Sequence, residues 1–92
     1  MFDLYITKEV ESYIRTIKKE LRKKGYRECI STTNRHIGGL YLSYKTSDFI
    51  KDNIIFEFQV DKVNNTISTR LWIKDDKLES KEIMLADVLE LA

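Results

Sequence analysis

Residues 54 to 76, IIFEFQVDKVNNTISTRLWIKDD, alternate apolar and polar side chains on both sides of Asn64 and Asn65. A period of two puts Phe56, Phe58, Val60, Leu71 and Ile73 on one side of an extended chain and Ile55, Glu57, Gln59, Arg70 and Trp72 on the other. Asparagine tolerates positive φ, so the pair predicts a two-residue hairpin turn in which Val63 faces Thr66. In that register partner numbers sum to 129. Phe56 then faces Ile73, Phe58 faces Leu71 and Val60 faces Thr69, while Glu57 faces Trp72 and Gln59 faces Arg70 on the other side. Such a hairpin needs a covering element over its apolar side.

That element is a helix over residues 7 to 24. Val10, Ile14, Ile17 and Leu21 recur at spacings of four, three and four, which makes one apolar stripe, and Tyr13 widens it. Thr7 suits the N-cap, Glu9 and Glu11 sit at the positive end of the helix dipole, and Arg22, Lys23 and Lys24 sit at the negative end. Gly25 can adopt the left-handed stop conformation.

YRECIST, residues 26 to 32, predicts a strand, TNRH a turn, and IGGLYLSYK a second strand with a bulge or close backbone approach at Gly38 and Gly39. TSDFIKDN, residues 46 to 53, reads as a connector with a helical turn capped by Ser47 and with Phe49 and Ile50 plugging the core edge. In the tail, Leu85, Val88, Leu89 and Ala92 fit a helical face from about Ser80, the alternative being a short strand EIML followed by a helical turn from Asp87. The expected fold class is α+β, one domain over residues 1 to 92 in the order α-β-β-β-β-α. A four-stranded antiparallel sheet would carry the N-terminal and C-terminal helices on one face.

Ninety-two residues supply a single core. No apolar run approaches the roughly 20 residues that span a bilayer, no leader pattern opens the chain, and the lone cysteine excludes an internal disulfide. A cytoplasmic protein without membrane contact is expected. The net charge of +1 conceals an asymmetry, with ten Lys/Arg against five Asp/Glu in residues 1 to 46 and six against ten in residues 47 to 92.

One histidine, His36, rules out a multi-histidine metal site, and the only nucleophilic pairing on offer is Cys29 with His36, at a spacing that identifies nothing. The acidic pairs Asp75/Asp76 and Asp48/Asp52 lack calcium-loop spacing. The expectation is therefore a non-enzyme with no cofactor and no metal.

Two helices cover one sheet face. Unless the N-terminal MFDLY or the 46 to 53 connector covers it, Trp72 projects from the other face beside Arg70, Gln59, Glu57 and Tyr41 as a partner-binding patch, since Trp and Arg concentrate at interface hot spots. The absence of proline with abundant Lys, Ile and Asn is the flavour of AT-rich genomes, phages and mobile elements among them. The expected function is thus an inhibitor or adaptor that occupies a partner protein's surface, directed at a host system, or a homodimer stacked through that face. The alternative is nucleic-acid binding through Arg15, Lys18, Lys19 and Arg22, which share the helix face opposite the apolar stripe, together with Lys23.

Overall fold

The computed structural model describes residues 3–92. The chain runs β1 (Leu4–Tyr5), α1 (Lys8–Lys23), β2 (Arg27–Ile37), β3 (Leu40–Lys51), β4 (Ile54–Asp61), β5 (Thr66–Lys74), β6 (Leu78–Ile83), a 3-10 turn (Leu85–Asp87) and α2 (Val88–Leu91). The fold is α+β with an antiparallel sheet, as expected, but the sheet has six strands rather than four. Its order is β1-β5-β4-β3-β2, with β6 sharing the free edge of β5 with β1. The two additional strands are an edge dipeptide and a charged edge segment, LESKEI, that buries only Ile83. An edge strand carrying charge on both faces has no alternation to detect.

The helix follows its sequence signals. Thr7 caps it, its hydroxyl accepting the Val10 N–H at 3.2 Å, and Gly25 leaves it at φ 95°. The last turn is held by the Lys51 ammonium, which donates to the Lys24 carbonyl at 2.7 Å. Ile17 and Leu21 are buried and Val10 and Ile14 half-buried, whereas Tyr13 stands largely in solvent. The tail is not a helix from Ser80: a strand ends at Ile83 and two short helical turns follow, which drop Leu85 and Val88 into the core on the α1 side.

Four local readings change. Residues 33 to 36 continue β2, and the turn is made by Gly38 and Gly39, whose φ values of 55° and 83° fit a two-residue primed turn between Ile37 and Leu40. Residues 46 to 51 are the second half of β3 and not a connector. Phe49 is fully buried on the inner face, while Ile50 alternates to the other. Finally, the β4–β5 loop is four residues long and the last pair is Asp61 with Thr66, so partner numbers sum to 127 rather than 129. The cause is Asp61. Its carboxylate accepts from the Val63 and Asn64 backbone N–H groups at 3.0 and 3.1 Å and from Asn64 Nδ2 at 2.8 Å, and only Asn65 takes positive φ. A shift of two in the sum moves each residue's partner and leaves its face unchanged.

The core lies between α1 and the inner face. Phe49, Phe56 and Phe58 are enclosed completely, with edge-on contacts of 5.6 Å for Phe49–Phe58 and Tyr26–Phe56. At about 1.5–3 kcal/mol for each fully buried side chain, these three decide which side of the sheet receives the helix. On the outer face, every described residue of β3 to β5 from Leu42 to Ile50, Ile55 to Asp61 and Thr66 to Trp72 that points outward is half-buried, and none is buried.

Candidate functional site

The outer face is organised in rows by the ladders. Cys29, Asp48, Glu57, Arg70 and Glu82 stand side by side across five strands. Arg27, Ile50, Ile55, Trp72 and Ser80 form the next row on one side, and Ser31, Thr46, Gln59 and Ser68 the next on the other. Four of the five residues expected to form a contact patch, Trp72, Arg70, Gln59 and Glu57, therefore share this face. Tyr41 does not. It pairs with His36 near the hairpin tip, on the inward-facing phase of β3, with its ring 4.9 Å from the imidazole and its hydroxyl donating to Asn34 Oδ1 at 3.3 Å. Its expected place is taken by Tyr44, Thr46 and Asp48, of which a reading of 46 to 53 as a connector leaves out the last two. From Leu40 to Lys51 no glycine or proline interrupts the chain, but four polar residues in a row, Lys45 to Asp48, followed by Phe49 and Ile50 break the alternation that would have marked the strand's second half.

The centre of the face is a like-charged pair. Asp48 and Glu57 are direct cross-strand partners. Burial pushes both carboxyls above their ordinary range. For Glu57 the neighbouring Asp48 charge adds to burial, while the Trp72 N–H and the Arg70 guanidinium pull the other way. The contact between the two carboxyls offsets part of the rise at Asp48 and adds to it at Glu57. Asp48 Oδ1 is nonetheless shut off from solvent without a hydrogen-bond partner. The indole N–H of Trp72 is also enclosed. It lies close enough to Glu57 to favour its charge but closes no hydrogen bond of normal geometry. Trp72 is thus a half-buried ring seated in the face rather than a protruding one, and neither described residues of MFDLY nor 46 to 53 lie across it as a lid: Leu4 and Tyr5 pair with Ile67 and Thr66, and 46 to 51 are in the sheet. Met1 and Phe2 fall outside the described residues.

Arg70 is only partly available to the pair, because it also meets Glu82 Oε1 and Ser80 Oγ at 3.4 Å each. Beside the carboxyls, Thr33, Arg35, Leu42, Tyr44, Thr46 and Gln59 line a hollow of about 280 Å³.

The basic residues of α1 do not form one free strip. Lys18 and Arg22 lie on the flank of the helix that faces β2 and β3, both against Glu28, at 3.7 and 2.7 Å. Arg22 also stacks over Phe49, 5.5 Å from the ring centre. Arg15 lies one turn before them along the same flank, while Lys19 is exposed and Lys23 pairs with Glu20 at 3.4 Å.

Cys29 and His36 lie on one strand, seven residues apart and on opposite faces, so at about 3.3 Å per residue their side chains cannot meet. Among the described residues no three His, Cys, Asp or Glu side chains converge as metal ligands, and no helix is long and apolar enough to cross a membrane. Comparison with known proteins adds no identity, since no protein family, no curated protein and no solved structure matches the chain.

Proposed function

We propose that the protein binds another protein through the outer face of its sheet and acts by occupying that partner's surface, as an inhibitor or adaptor does. The observation that carries this reading is the Asp48–Glu57 pair beside Trp72. Like charges directly opposite one another in a ladder lower stability, and here they are partly desolvated and short of cations. A feature that costs the fold something and sits on its uncovered side is the mark of a contact surface. A partner's arginine or lysine placed over the two carboxyls would complete them, and the indole beside them offers its face to such a cation. The face also has the required size. Five strands at about 4.8 Å spacing and the eight residues of β4 at about 3.3 Å rise span about 24 by 26 Å, comparable to one side of a standard interface.

Affinity capture from the native host followed by titration of the recovered protein tests the reading. Trp72→Ala with Arg70→Ala is expected to weaken binding by about thirtyfold or more, and Asp48→Asn with Glu57→Gln to weaken it while leaving a fold at least as stable. The exposed helix pair Lys19→Glu with Lys23→Glu should bind as the wild type does. Loss of binding in that helix variant with retention in the other two would move the contact to α1.

A further inference from the structure

We infer that the groove between α1 and the inner face of β3 and β4 is a binding site for a small organic anion with an apolar body. It lies on the opposite side of the sheet from Trp72 and stands independently of any role for the outer face.

The groove encloses about 350 Å³, inside the range of roughly 300–1,000 Å³ typical of small-molecule sites. The half-buried Ile6, Ile14 and Val60 contribute its apolar surface beside the enclosed Phe58 and Ile67, and Arg15, Lys18 and Lys45 its positive charge. Glu11 is the one acid on the lining. A purely structural gap beside a core has no need of three cations from two separate elements.

Lys18 shows why an anion fits. Its side chain is only 21% exposed, and its ammonium lies 5.9 and 6.0 Å from the ring centres of Phe58 and Phe49. Its polar contacts are Ser47 Oγ at 3.4 Å and Glu28 Oε2 at 3.7 Å, and Glu28 is already engaged by Arg22 at 2.7 Å. One carboxylate therefore serves two cations. Burial pushes the Lys18 ammonium below its usual range, Glu28 opposes this, and the charges of Lys45 and Arg22 add to it. A carboxylate or sulfonate seated between Lys18 and Lys45 supplies the negative charge this cluster lacks. Its carbon body would cover the half-buried Ile6, Ile14 and Val60, removing their remaining surface from water. A nucleic-acid strand suits the groove less well, because a phosphate backbone needs cations in an open line and Lys19 stands in solvent away from it.

The test is an amide-resolved NMR titration of the intact chain with naphthoate, with naphthalenemethanol as its neutral counterpart and inorganic phosphate as the headgroup alone. Naphthoate is expected to shift the amides of residues 14 to 18, 45 to 47 and 58 to 60 saturably, with a dissociation constant on the order of 1 mM or below. Naphthalenemethanol and phosphate should each bind about tenfold more weakly or worse. Lys45→Gln, at an exposed position that disturbs no core contact, should weaken naphthoate by about tenfold, and Lys18→Gln should do the same. Absence of saturable shifts, equal binding of the neutral alcohol or of phosphate, or unchanged affinity in Lys45→Gln would each overturn the assignment.

Discussion

Asp48 and Glu57 face each other across a ladder where almost any neutral pair would be more stable, and their titration gives that statement a sign. Both carboxyls hold their protons to higher pH in the folded chain than in the unfolded one. Between the two sets of values the folded state binds more protons, so stability falls as pH rises through that window and the whole penalty is present above it. Below the unfolded values both states are protonated and the penalty vanishes. Asp48→Asn removes one charge and leaves an amide that can donate to Glu57. It should stabilise the protein at pH 7 by about 0.2–1 kcal/mol, a rise in Tm of about 1–8 °C for a chain of this size, and confer little at about pH 3.5. Thermal unfolding at the two pH values checks this. A lower Tm at pH 7 would mean that the ionised pair holds the sheet together, and the case for its being a contact surface would weaken with it.

Asp61 has the opposite sign and sets the register of a whole hairpin. The Asn64 backbone N–H, then its side chain and the Val63 N–H, hold the Asp61 carboxyl below its usual range, with slight burial opposing. Its contribution is present above the unfolded value and is lost as pH falls through the folded one. Asp61→Ala leaves three loop donors without their acceptor. The expected loss is about 1 kcal/mol by analogy with a helix cap, a fall in Tm of about 4–8 °C. The deficit relative to wild type should shrink in acid, and amide exchange should quicken first at residues 62 to 66. The same residue explains what the sequence discloses and what it hides. Alternation in 54 to 60 and 66 to 73 places each side chain on its correct face, and helix α1 is legible from stripe, cap and stop together. Partner assignments depend on loop length, and an Asp three residues before an Asn competes for the turn with the Asn pair itself. The same competition between glycines and polar residues hid the turn at Gly38 and Gly39. At the candidate site, four residues were legible because a period of two survives a shift of two. Asp48 was not, because what raises its titration is burial within the sheet, and a reading of 46 to 53 as a connector leaves it outside the sheet.

Across the whole molecule, one sheet face holds the helix and the core and the other holds a row in which Asp48, Glu57 and Glu82 outnumber Arg70. Two copies stacked through that face would bring two acid-rich rows together and desolvate them further, which opposes association unless protons or foreign cations intervene. Self-pairing and recognition of a cationic partner are therefore competing uses of one surface, and charge favours the second. Sedimentation at pH 7 and micromolar concentration should show a single chain. Asp48→Asn with Glu57→Gln, or a pH low enough to protonate the pair, should strengthen self-association by about tenfold or more, equivalent to about 1.4 kcal/mol. A stable dimer of the wild type at pH 7 that Trp72→Ala dissolves would reverse this order. The outer face would then be closed by its own copy, the two indoles would sit in an isologous interface, and any other partner would have to be sought on the α1 side of the sheet.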